Sequence, residues 1–192
     1  GPRRGAMAGA ASVRAERSPN AWAWPLASAG MVLVLLAPAL WNGFPLVFSD
    51  TGGYLTRPID GTLAMGRSAL YGWFLYISVP LAFWPVLIAQ AVACAWLIAL
   101  TLRCHGLGGR PWLAFTLTAA LAVTTSLPWF AAQLMPDVLF SAGVLALYLL
   151  MFRGARLKPA EKLGLVALIA LAIACHMAAL GLCIGVFAAL WL

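Results

Sequence analysis

Residues 21–41 read AWAWPLASAGMVLVLLAPALW, an uncharged run closed by tryptophans at both ends. Trp24 and Trp41 bracket about 26 Å at 1.5 Å per helical residue, close to the hydrocarbon thickness of a bilayer. In lipid every backbone N–H and C=O must find a partner inside the protein, and a continuous apolar run does this only as a helix. The run is too long, and too aromatic at its ends, for a signal-peptide core, and no small-residue cleavage site follows it. It reads as a retained first span.

The rest of the chain repeats the pattern. Of 192 residues, 64% are hydrophobic and only 9% charged, against about 25% charged in a soluble domain. The mean hydropathy is +0.97. A water-soluble globule and a disordered chain are both excluded, and the strict alternation of a membrane β-barrel is absent. The expectation is an all-α polytopic transmembrane bundle over residues 21–192, preceded by a basic cytoplasmic tail over residues 1–20. Further spans are expected at 83–102, 111–130, 138–152 and 163–178, with a sixth beginning near 179. The chain opens Gly1-Pro2-Arg3 without an initiator Met and stops at Trp191-Leu192 inside an apolar run, so a fragment of a longer protein is expected.

Charge placement sets the topology. Residues 1–20, 103–110 and 153–162 are net basic, whereas 49–67 is balanced and 127–137 carries Asp137 alone. The positive-inside rule puts the three basic clusters in the cytoplasm and the other two outside, with the N-terminus cytoplasmic. An odd number of crossings must then separate each consecutive pair. Ser68 to Leu102, with Pro80 and Pro85 in its middle, is long enough for one span or two, and only one satisfies the parity. An interfacial helix near 68–80, carrying Tyr71, Trp73 and Tyr76, should therefore precede the span, with the break at the prolines. The net charge of +7 belongs to these loops and forms no basic stripe of the kind that binds nucleic acid.

Chemistry-bearing residues are few. Cys94, Cys104, Cys175 and Cys183 have no C-x-x-C spacing and indicate neither zinc nor disulfides. All three aspartates fall on the outer side. Asp50 lies in the turn-rich stretch Asn42 to Arg57, where Gly52 and Gly53 allow a close backbone approach or a positive φ. It reads either as a proton acceptor or as an Asx-turn or helix N-cap. Asp137 follows Pro136 and opens a span, where an acid offsets the helix dipole. Asp60, in Pro-Ile-Asp-Gly, reads as a turn residue. Arg57 and Arg67 depart from the charge bias and suit either a phosphate grip or snorkelling to headgroups. His176, at the outer end of the fifth span, is a site member or a helix–helix hydrogen-bonding residue.

The acid directly after span one, in Phe48-Ser49-Asp50-Thr51-Gly52-Gly53-Tyr54, and the later Met135-Pro136-Asp137 opening a span, resemble the GT-C class of polytopic glycosyltransferases. The resemblance implies transfer of a sugar from a polyprenyl-phosphate carrier to an acceptor on the outer face of the inner (plasma) membrane. It makes Asp50 the general base or metal contact and Asp137 the second acid. Arg57 and Arg67 match no motif of the class and are substrate-binding candidates by their placement; Tyr54 and His176 are candidates beside them. Many members carry two acids close together in the first loop; here Thr51 and Gly52 follow Asp50, so a divalent metal is not indicated. A transporter or flippase module, or a non-enzymatic assembly subunit, is the alternative. A charge-coupled transporter needs ionisable groups near the midplane, where this sequence offers only Gln90, Cys94 and scattered Ser or Thr.

Overall fold

The computed structural model describes residues 22–62 and 64–191; the basic tail expected over 1–20 lies outside them. The described residues form an all-α bundle without strands. Its elements are α1 (Ala23–Asn42), α2 (Thr51–Asp60), α3 (Ala69–Ser78), α4 (Trp84–Cys104), α5 (Pro111–Thr124), α6 (Leu127–Ala131), α7 (Asp137–Arg153), α8 (Pro159–Cys175) and α9 (Met177–Trp191). Three helical stretches, Ala23–Asn42, Trp84–Cys104 and Asp137–Arg156, are long and apolar enough to cross a membrane. The fold is that of a helical membrane protein. Its core runs through Met31, Leu35, Leu87, Ala91, Leu134, Leu149 and Leu165, each fully buried, while Leu33, Val92, Val123 and Val166 face outward as lipid-facing side chains do.

Chain path and contacts sort the polar groups to two ends. Asp50, Arg67, Asp137 and His176 gather at one. Arg103, Arg153, Arg156 and Glu161 gather at the other, where Arg103 pairs with Glu161 and donates to the Arg156 carbonyl. The first turn of α1 lies there as well, with Trp24 beside Arg103. α1, α4 and α7 run between the two ends within stretches long enough to cross a membrane, whereas α5 and α8, of 14 and 17 residues, run between the same ends but are shorter.

α3 does not cross. It starts at Ser68, whose hydroxyl both accepts from the Tyr71 N–H and donates to the Ala174 carbonyl at 2.7 Å. A 3₁₀ turn, Val79–Leu81, then leads to Phe83, which meets Phe44 edge-on at 6.3 Å on the same side of the bundle. Ala82 and Phe83 take φ of 50° and 65°, a left-handed pair of non-glycine residues that costs about 1–2 kcal/mol each. The break falls between Pro80 and Pro85, and Pro85 occupies the first turn of α4, where its missing N–H leaves no orphan.

Elsewhere the helices are more broken than expected. The span expected over 111–130 ends at Thr124, and a separate short helix, α6, starts at Leu127. Thr124 and Thr125 turn their hydroxyls back onto the Ala120 and Leu121 carbonyls, and Pro128 cannot extend a helix through them. The span expected over 163–178 starts earlier, at Pro159, and stops at Cys175, because His176 is extended (φ −142°) and α9 begins at Met177. The stretch 42–57 is irregular only as far as Asp50. Gly52 and Gly53 are helical and neither has a positive φ.

α2 and α3 touch through backbone. Pro58 inside α2 deprives the Tyr54 carbonyl of its i+4 N–H partner. Gly72 of α3 presents its Cα to that oxygen so closely that a β-carbon there would overlap it. Gly72→Ala should therefore separate α2 from α3 and cost about 1–3 kcal/mol. Gly52→Ala, with nothing within 4 Å of its added carbon, should be neutral or stabilise by up to about 1 kcal/mol. Thermal unfolding of the two variants in detergent checks the contrast.

Candidate functional site

The site grows from two irregular segments laid side by side. Leu46 bridges Gln133: its N–H donates to the Ala132 carbonyl at 3.0 Å, and its carbonyl accepts from the Leu134 N–H at 2.9 Å. Thr51, 4% exposed, stitches them again. Its hydroxyl accepts from the Phe48 N–H at 3.0 Å and donates to the Leu134 carbonyl at 3.2 Å. Gln90 of α4 supports the second segment from below, donating to the Ala131 and Gln133 carbonyls at 3.3 and 3.1 Å and accepting from the Tyr71 hydroxyl at 2.9 Å. Asp50 thus ends one anchored segment, and Asp137 follows the other.

Asp50 stands at the N-cap of α2, yet its side chain makes no capping hydrogen bond. The Asx-turn or N-cap reading is set aside because Thr51 does the local turn work. The Asp50 carboxylate instead meets Arg67, with Oδ1 2.7 Å from Nη2. Arg67 lies over the Tyr54 ring, its Cζ 5.7 Å from the ring centre. Its stem runs past Gly53, where a β-carbon would sit 3.3 Å from Cγ; the small residue gives the arginine its path.

Asp137 opens α7, where its charge favours the helix N-terminus. Its Oδ1 lies 3.6 Å from Nε2 of His176, whose ring leans on Phe140 at 5.3 Å. His176 Nδ1 accepts from the Ala178 N–H at 3.3 Å, so in the neutral ring Nε2 carries the proton that faces Asp137. The side chains of Arg67, Asp50, His176 and Asp137 keep between 30% and 39% of their surface exposed, within reach of a ligand.

Tyr54 feels charges from both pairs. Burial raises its phenol above the ordinary tyrosine range, Arg67 pulls it down, and Asp137 and Asp50 add smaller upward pushes. Its ring meets Tyr71 edge-on at 5.1 Å. Arg57 stands apart: it is exposed and donates to the Gly61 carbonyl at the end of its own helix, satisfying a C-terminal carbonyl. Asp60, also exposed, ends α2 before Gly61 in the left-handed conformation. Among the described residues no group of three or more His, Cys, Asp or Glu is gathered to hold a metal ion. A groove of about 700 Å³ opens at the same end between α1 and α5–α6, lined by Pro38, Trp41, Leu46 and Trp129 among others.

The roles of Thr51 and Gln90 were not read from the sequence, because both rest on partners far along the chain. Gln90 carried the one available signal, an amide in the middle of an apolar span. No protein-family model matches this chain, and neither a curated protein nor a solved structure is significantly similar to it.

Arg67→Gln removes a charge that lowers the Tyr54 phenol, so its ionisation should move to still higher pH. Phenolate absorbance in a pH titration, read as the difference from Tyr54→Phe, checks the direction. The sign for stability follows: a raised tyrosine contributes stability that is complete below the unfolded value, about 10, and is lost as pH rises through the folded one.

Proposed function

We propose that this protein is a membrane-embedded glycosyltransferase moving a sugar from a polyprenyl-phosphate carrier to an acceptor hydroxyl at the outer face of the inner membrane, with its N-terminus cytoplasmic. The observation that carries the reading is the Asp50–Arg67 pair, ion-paired yet partly exposed, at the same end of the bundle as Asp137–His176. The GT-C resemblance of the two acid motifs and the bias of Lys and Arg toward the opposite end support it.

In the proposed reaction the acceptor oxygen attacks the anomeric carbon, the bond from that carbon to the carrier phosphate breaks, and the bonding electrons leave on the polyprenyl phosphate. The hydroxyl proton passes to Asp50. Arg67 holds Oδ1 and so presents Oδ2 to the hydroxyl, while the guanidinium N–H groups not facing Asp50 serve the donor phosphate. Asp137, steadied by His176, orients the acceptor. The α1/α5–α6 groove supplies an apolar bed for the isoprenoid chain. Transport is less well supported, because Gln90, the polar group a mid-membrane path would use, is spent on Tyr71, Ala131 and Gln133.

Asp50→Asn should lower transfer by about 10²–10⁴-fold, the usual worth of a positioned general base, with insertion and expression intact. The assay follows labelled sugar from polyprenyl-phosphate donors to acceptor in membranes carrying the protein. Unchanged turnover on a donor that the unsubstituted protein uses rules out Asp50 as the base.

A further inference from the structure

At the end opposite Asp50, a groove of about 540 Å³ runs between α1 and α4. Its lining includes the small residues Ser28, Ala95 and Ala99 together with Trp24 and Trp96. Trp96 is held upright from behind, since α8 offers only Gly164 where its ring rests. Trp24, Trp96 and Ala99 also line a second, more polar cleft of about 290 Å³ that contains Arg103, Gly108 and Glu161. The two spaces share those three residues, so an apolar groove adjoins a charged cleft at this end of the bundle.

Length and charge both bear on the occupant. From Arg103 to Val92 the α4 wall spans about 16 Å at 1.5 Å per residue, roughly half of a ~30 Å hydrocarbon core, or one leaflet. The cleft is net basic. Glu161 is spent on Arg103 and on the Lys158 backbone N–H, whereas Arg156, Lys158 and Lys162 are exposed around it. Arg103 spends one N–H of Nη1 on the Arg156 carbonyl and one of Nη2 on Glu161, so each terminal nitrogen of this one-third exposed side chain keeps a second N–H for a ligand.

We infer that this groove and cleft together bind an anionic glycerophospholipid of the adjacent leaflet, with one acyl chain along the α1–α4 groove and the phosphodiester at the Arg103 guanidinium. The site lies at the other end of the bundle from Asp50 and does not depend on the proposed transfer reaction. Its tail specificity is loose, because the groove offers only shape and apolar surface. Its headgroup specificity comes from the surplus of positive charge, since basic residues near a membrane surface attract anionic lipid.

The experiment titrates the detergent-purified protein with phosphatidylglycerol and with phosphatidylcholine of equal chain length, counting bound lipid by native mass spectrometry. Phosphatidylglycerol should bind about tenfold tighter. Arg103→Gln should remove that preference. Ala99→Phe, which fills the groove and leaves the charges alone, should weaken both lipids about tenfold or more and keeps the test valid if the arginine variant misfolds. Glycerol 3-phosphate, a headgroup without chains, should not compete. Equal affinities for the two lipids, binding indifferent to Ala99→Phe, full competition by glycerol 3-phosphate, or a dimer that closes the α1–α4 face against lipid would each overturn the assignment.

Discussion

Irregular backbone at the margin of a membrane has to be satisfied by protein, and here that requirement is met by two short segments binding each other. The Leu46–Gln133 bridge and the Thr51 hydroxyl close the loop after α1 onto the loop before α7. Gln90 takes up further carbonyls from beneath. Without these bonds several N–H and C=O groups would be left unpaired in a medium where each costs several kcal/mol. The same bonds determine where Asp50 and Asp137 stand, because each acid lies within three residues of a bonded anchor. Position of the candidate chemistry is thus a by-product of backbone satisfaction.

A second economy lies in the α2–α3 contact. Pro58 leaves a helical carbonyl without its donor, and Gly72 approaches that oxygen with nothing but hydrogen on its α-carbon. The close approach brings Tyr54 onto Tyr71, and Tyr71 in turn reaches Gln90. A chain of contacts therefore links the surface helix that follows Asp50 to the middle of the bundle. Arg67, in the connection between α2 and α3, is held where its guanidinium can meet Asp50.

Much of this was legible beforehand. Apolar run lengths named the class, and the parity of basic clusters assigned one crossing to Ser68 to Leu102; in the structure Phe83 lies against Phe44, and α4 alone of that stretch is long enough to span. Pro80 and Pro85 marked the break between α3 and α4. The breaks at Thr125 and His176 were missed because no charged residue interrupts either stretch, and helix termination there depends on hydroxyls and a ring that bind local backbone. The sequence named both arginines but could not choose between them. Arg57 binds its own helix end, and only the path of the chain from α2 back to α3 brings Arg67 to the acid. Gly52 and Gly53 suggested an open ligand loop and proved to be helical, since a glycine pair licenses an irregular turn without requiring one.

Everything rests on the sorting of polar groups to opposite ends of a bundle that crosses the membrane. Single cysteines placed at Ile59 in α2 and at Ala155 beyond α7, both exposed, test it in whole cells with a membrane-impermeant maleimide, on a background lacking the reactive native thiols. The account predicts that Ile59→Cys is labelled in intact cells and Ala155→Cys only after permeabilisation. Labelling of both in intact cells, or the reverse pattern, would contradict it.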